Sequence, residues 1–271
     1  MSNEFKDFKN MGNNIYRHWS YIKPGEFPHY WCNKNGFNTG EAVGVILVSA
    51  WLPCPPGHVS NSNSYDFPVR YVELPDSSQE KVHGADQGLV PALIETAKQL
   101  EEDGCRVICA DCGYFGHFQK QVADEVDVPV YLSGVIQVPW IRAGLKYSQK
   151  IGIICGDKHS LTYSLFESCG ISKEDYERCV IVGAQDQPEF YKFDKNVGNF
   201  DSKVVKDEIV GLAVKLQKKT PELGAILLEC TDLPPYSAAI QEATQLPVFD
   251  TTTMIKFLHN VVCQKPYGGW I

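Results

Sequence analysis

The 271-residue chain has no Walker loop, no G-x-G-x-x-G turn and no G-x-S-x-G nucleophile elbow. A phosphate cradle, a dinucleotide fingerprint and a hydrolase serine are therefore not sources of chemistry here. Nor is there an excess of positive charge. The net charge is −8, so the chain as a whole should not favour nucleic acid or an anionic membrane, and an anionic ligand needs local donors such as backbone amides. The longest apolar run, Ala42 to Leu52, is too short to span a bilayer. Met1 to Asn10 lacks an apolar h-region, so no secretory signal is read and a cytoplasmic protein is expected.

Cysteine, in contrast, is plentiful. Ten occur, several inside apolar runs where cysteine packs as a small hydrophobe, and reduced thiols are the expectation. Composition is otherwise that of a globular protein, with 44% hydrophobic and 21% charged residues. The length suits two lobes of about 110 residues.

Residues 1–42 are polar and aromatic (Tyr16, Trp19, Tyr30, Trp31) and read as an arm that wraps the body or a neighbouring subunit; a homo-oligomer is expected on that ground. Strand-length apolar runs then alternate with helical periods. Runs at 43–49, 106–110, 128–132, 150–155, 179–182, 225–228 and 248–250 read as strands, and Phe67–Leu74 as an edge strand. Helices are expected at 87–102, 114–126, 135–145, 158–169, 201–219, 234–244 and 252–263. Two stretches, 53–65 and 184–199, read as long loops. Strand–helix alternation predicts an α/β protein of two similar lobes, each a parallel sheet flanked by helices and related by a pseudo-twofold axis. The division is 43–148 plus 251–271 for the first lobe and 149–250 for the second.

Two stretches echo each other about 118 residues apart, one reaching Cys112 and the other Cys230. Each opens on a glycine and an apolar strand, passes an acid, reaches the thiol and meets helix-start residues. Ligands of open α/β sheets bind at such strand ends. A carbon acid beside a carboxylate needs a base on one face, and a thiolate can serve if a helix start or a cation depresses its pKa. Two thiols facing one cleft could take and return a proton on opposite faces. Cys109-Ala110-Asp111-Cys112 also fits C-x-x-C, but strand alternation points the two side chains apart. Three cysteines on one strand cannot surround a zinc ion, so no metal is expected. Asp111, Glu229 and Asp232 flank the thiols, and His58 and His117 fall near the expected cleft.

These residues resemble the aspartate/glutamate/hydantoin racemase superfamily over about Val43 to Thr253. The resemblance is carried by Cys112-Gly113 and by Leu228-Glu229-Cys230-Thr231-Asp232-Leu233-Pro234-Pro235-Tyr236. It implies a cofactor-independent enzyme with Cys112 and Cys230 as its acid/base pair, acting on a small carboxylate substrate. It also implies that amides of Gly113, Tyr114 and Thr231 grip that carboxylate. Ser64, Ser133 and Tyr236 complete the candidate substrate-binding set. Glutamate racemases carry Cys-Thr-His at the second thiol where this chain has Cys230-Thr231-Asp232, which argues against glutamate. The E-C-T-D-L-P-P-Y form is similar to a branch close to the algal-type dimethylsulfoniopropionate lyases, in which the same deprotonation leads to β-elimination. The expected function is a racemase or isomerase of a small amino acid or related acid, with β-elimination from dimethylsulfoniopropionate and simple small-acid binding as the alternatives.

Overall fold

The computed structural model describes residues 21–27 and 40–271. Most of the expected arm therefore lies outside the described residues.

The first sheet has strands β1 (Val43–Leu47), β2 (Val69–Glu73), β3 (Val107–Ala110) and β4 (Val130–Tyr131) in the order β2-β1-β3-β4, all parallel. Its helices are α1 (Gln79–His83), α2 (Val90–Glu102), α3 (Gln119–Ala123) and α4 (Val138–Ala143). The second sheet repeats the plan with β5 (Lys150–Cys155), β6 (Cys179–Gly183), β7 (Leu223–Leu228) and β8 (Val248–Asp250) in the order β6-β5-β7-β8. Around it stand α5 (Tyr163–Ser168), α6 (Lys173–Glu177), α7 (Tyr191–Asp194), α8 (Ser202–Lys219) and α9 (Ser237–Thr244). The last helix, α10 (Thr251–Val262), packs against β3 of the first lobe.

The central strands are apolar on both faces because helices cover both faces. Val43, Val45 and Ile46 of β1 and all six residues of β7 are buried. One core cluster runs through both lobes, joining Ile46 and Ile108 of the first sheet to Ile153 and Leu227 of the second through Phe115, Phe118, Leu165 and Phe166. Each of those aromatic side chains is fully buried, worth roughly 1.5–3 kcal/mol. The lobes are thus joined through packed apolar side chains.

Several helices differ from expectation. The helix expected at 114–126 is a 3-10 turn, Gly113–Phe118, followed by the short α3. Close packing accounts for it: a Cβ at Gly116 would stand 2.8 Å from Ser133 Cβ and 2.9 Å from a Leu165 methyl. The helix expected from Lys158 begins only at Tyr163, because the Asp157 carboxylate accepts from His159 N (3.0 Å) and Ser160 Oγ (2.9 Å) and holds the chain in a turn. The loop expected at 184–199 contains α7, and its Phe190 and Phe193 are buried. Among the described residues no helix is long and apolar enough to cross a membrane.

Candidate active site

In each sheet the chain leaves β1 or β5 toward one edge and β3 or β7 toward the other. A crevice opens where the direction reverses, outside the carboxyl ends of the strands. The two crevices face each other and form one cavity of about 280 Å³. Leu47 and Val48 line it after β1, Glu73 at the end of β2, and Asp111, Cys112 and Gly113 after β3. Gly156 follows β5, and Cys230, Thr231 and Asp232 follow β7. Both expected thiols therefore line the same cavity, each 9% exposed.

The two thiols have matched backbones. The N–H two residues on, that of Tyr114 or of Asp232, points at the sulfur and lowers its pKa. That help is outweighed. Burial, then Asp111 and Glu229, push the Cys112 thiol well above its ordinary range; burial, then Asp232 and Glu229, do the same to Cys230. The expected depressed thiol pKa is thus corrected. Each cysteine leads into a 3-10 turn rather than an α-helix N-terminus, and the nearby charges are carboxylates.

The side chains around the sulfurs differ. Cys230 Sγ donates to Asp232 Oδ2 at 3.3 Å, and Asp232 Oδ1 lies 2.8 Å from His58 Nε2. His58 is buried and comes from the first lobe. Its loop reaches across because Gly57, at φ +102°, lies against Pro235: a Cβ there would meet Pro235 Cα at 2.8 Å. Burial lowers the His58 pKa, but the bond to Asp232 and then Cys54 outweigh it and push it up to about 10. The Ser60 N–H, aimed at Nδ1 from 2.9 Å, opposes a second proton. In either protonation state Nε2 donates to Asp232.

Asp111 joins three segments. Its carboxylate accepts from Val48 N (2.8 Å) and Ser60 Oγ (3.1 Å), and its carbonyl accepts from Thr231 Oγ1 across the lobe interface. Although part of its surface faces the cavity, burial pushes its pKa up to about 7. Glu229 is fully buried and neither carboxyl oxygen has a partner among the described residues; burial, then Asp232, push its pKa up to about 8. It lies against Gly113, where an added Cβ would fall 1.9 Å from Oε1.

The remaining candidates divide. Tyr114 lines the cavity, its hydroxyl accepting from Asp157 N (2.6 Å) and donating to Asp157 O (2.7 Å). Gly113 and Thr231 line it as well, although the Thr231 hydroxyl is already engaged by Asp111. Ser64, Ser133 and Tyr236, also expected in the substrate-binding set, are not among the residues that line the cavity. Ser64 bonds Gly57 N and His58 O, Ser133 caps a 3-10 turn, and the Tyr236 hydroxyl meets Ser202 Oγ at 3.1 Å. His117, expected near the cleft, does not line the cavity. Sequence reasoning missed Cys54, Glu73, Gln79, His83 and Phe190, all of which do. The available signal was position: Glu73 ends a parallel strand and α1 comes after it, where ligands of such sheets gather. Among the described residues no group of three or more His, Cys, Asp or Glu is arranged to hold a metal ion.

The Asp/Glu/Hydantoin racemase family description matches residues 69–255. The chain belongs to that family. Within it, the chain is 31% identical over 241 residues to dimethylsulfoniopropionate lyase 3 of Emiliania huxleyi, covering 84% of this chain and 61% of the relative. It is likewise 31% identical over 237 residues to the dimethylsulfoniopropionate lyase of Durusdinium sp. clade D, covering 84% and 77%. The chain thus spans less than two thirds of the length of the first of these relatives. Among solved structures, allantoin racemase from Klebsiella pneumoniae superposes with a TM-score of 0.55 at 13% identity, covering 84% of this chain and 96% of that one. At that identity the likeness concerns the two-lobe fold that the family shares.

Proposed function

We propose that the chain is a carbon–sulfur lyase that eliminates dimethyl sulfide from dimethylsulfoniopropionate, leaving acrylate. The observation that carries this reading is the charge of the cavity. Both thiols line it together with the carboxylates of Glu73, Asp111 and Asp232, and among the described residues none that lines it is Lys or Arg. A purely anionic substrate such as a dicarboxylate meets only two imidazoles there among the described residues, that of His58, already bonded to Asp232, and that of His83, packed on Tyr114. A zwitterion suits it better, its carboxylate at the main-chain N–H groups of the two thiol turns and its sulfonium among the carboxylates. Two relatives named for this reaction support the same reading.

The positive substrate also supplies what the resting thiols lack. An opposite charge nearby favours the thiolate and offsets the carboxylates that hold the thiols protonated. Cys230 is assigned as the base, since Asp232 Oδ2 stands ready to accept its proton at 3.3 Å. The proton passes to Asp232, and the thiolate removes a proton from the carbon beside the substrate carboxylate. That C–H pair becomes the carbon–carbon double bond, and the C–S pair leaves with dimethyl sulfide. Asp232 then releases its proton to solvent, one per turnover.

The presence of two thiols favours a second reading, racemisation, in which Cys112 returns the proton on the opposite face. Incubation with dimethylsulfoniopropionate, with headspace analysis of the products, separates the two. Dimethyl sulfide is expected. Its absence, together with solvent deuterium at Cα and loss of optical rotation in an amino acid, overturns elimination in favour of racemisation.

A further inference from the structure

We propose that the cavity wall formed by the end of β2 and by α1 is the subsite for the methylated onium group, with Glu73 and Gln79 as its specificity-determining residues. The proposal rests on the zwitterion reading above and fixes which way round the substrate lies.

Two observations meet at this wall. Glu73 lines the cavity, is exposed, and has no ion-pair partner among the described residues. Gln79 lines it too, and among the described residues nothing donates to its buried Oε1. Among the described residues, a carboxylate without a cation and a carbonyl without a donor thus belong to one cavity, and both are complemented by positive charge. A methylated sulfonium or ammonium has no N–H to give. Its charge is spread over its methyl groups and is met by carboxylates, carbonyl dipoles and ring faces. Ring faces stand next to this wall: His83, four residues after Gln79 and so on the same face of α1, packs on Tyr114 with centroids 4.0 Å apart.

The wall is also held in place. Ser77 Oγ accepts from Ser49 N and donates to Leu74 O, both at 2.8 Å, tying the approach to α1 to the end of β1. Ser78 caps α1 by accepting from Lys81 N at 3.2 Å. Asp76 and Ala85 bracket the helix at φ 54° and 55°, left-handed positions that non-glycine residues hold only when their surroundings impose them. The backbone that carries Gln79 is thus held at the cavity, and its Oε1 has no donor among the described residues. With the onium here, the carboxylate points toward the thiol turns, and the carbon beside it lies on the side of the cavity that the thiols line.

The test uses the purified full chain with Glu73→Gln and Gln79→Leu. Each variant is expected to raise KM for dimethylsulfoniopropionate at least tenfold with kcat within threefold. Trimethylsulfonium, a cation-only probe, should compete in the native protein and at least tenfold more weakly in both variants. Acrylate, a carboxylate-only probe, should inhibit all three alike. Methylammonium, a cation-only probe that does carry N–H donors, should inhibit the native protein more weakly than trimethylsulfonium; the reverse order overturns the onium assignment. Turnover with KM unchanged in both variants sinks the subsite and leaves the lyase reading standing. If there is no turnover, calorimetric titration of the zwitterion decides. Binding that weakens tenfold in Glu73→Gln keeps the subsite and sinks the reaction, and no binding to the native protein sinks both.

Discussion

Cys112 and Cys230 occupy equivalent places in two equivalent lobes, yet they are not equivalent groups. Each comes after the third strand of its sheet, lines the cavity and receives the N–H of the residue two positions on. At the first thiol that residue is Tyr114, whose side chain turns away to Asp157. At the second it is Asp232, whose carboxylate takes the thiol hydrogen and is itself held by His58 from the opposite lobe. A repeated backbone thus presents a symmetric pair of sulfurs, and one side chain two residues later makes one of them the better-supplied base. Racemisation uses both thiols and elimination needs one, so the degree of asymmetry is the functional question.

The sharpest probe of it is the pair of alanine variants. Cys230→Ala is expected to lower kcat by roughly 10²–10⁴, the usual worth of a positioned acid/base, and Cys112→Ala by roughly tenfold or less. Equal losses in initial-rate assays would return the comparison to symmetry and favour the racemase reading. Gly113→Ala comes next. A methyl group there would stand 1.9 Å from Glu229 Oε1 and 2.8 Å from the Glu229 carbonyl oxygen, so the buried carboxyl and the backbone on one side or the other must shift. A loss of about 1–3 kcal/mol in denaturant unfolding is expected, with activity falling alongside.

Asp232→Asn tests the difference at the sulfurs directly. Removing a negative charge that raises the Cys230 pKa must lower it, so the pH midpoint of Cys230 alkylation should fall. Cys112, where Asp232 ranks last among the causes, should move less; mass-mapped iodoacetamide labelling at a series of pH values reads both. An equal shift at the two thiols would show that they share one field.

The smallest effect concerns the acid between the thiols. Folding raises the Glu229 pKa from its ordinary 4.5 to about 8. Between those values the folded protein holds a proton that the unfolded chain has released, so this residue's contribution falls as pH rises across that window and levels off above it. Glu229→Gln removes the titration. The variant should gain stability over the native protein between pH 5 and pH 9 by at least about 1 kcal/mol, the worth of one unit of differential proton affinity. Parallel unfolding curves at the two pH values would mean that Glu229 ionises without penalty.

Much of this was legible in the order of residues. The buried strands announced themselves as unbroken apolar runs, because a parallel sheet covered on both faces leaves no polar side to alternate with. The echo between Gly104–Gly116 and Gly224–Tyr236 gave the two lobes and the two thiols. The helices after the strands were less legible. At Asp157 a side chain competes with the helix for backbone N–H groups, and at Gly116 a neighbour from elsewhere in the chain sets the spacing. The hydroxyls of Ser64 and Ser133 were hard to read for a related reason: a hydroxyl in a loop or at a strand end serves its own turn as readily as a ligand.

The sequence by itself determined that the chain is a two-lobed α/β protein with a thiol at each matched strand end, since strand period, burial and chain order are local properties. Only the tertiary structure decided what surrounds those thiols. His58 meets Asp232 across 174 residues, Thr231 reaches Asp111 across 120, and Glu73 and Gln79 become a cavity wall only when the second sheet closes over the first. Charge and hydrogen bonding act through space over a few ångströms, and nothing in the spacing along the chain fixes which groups fall within that range.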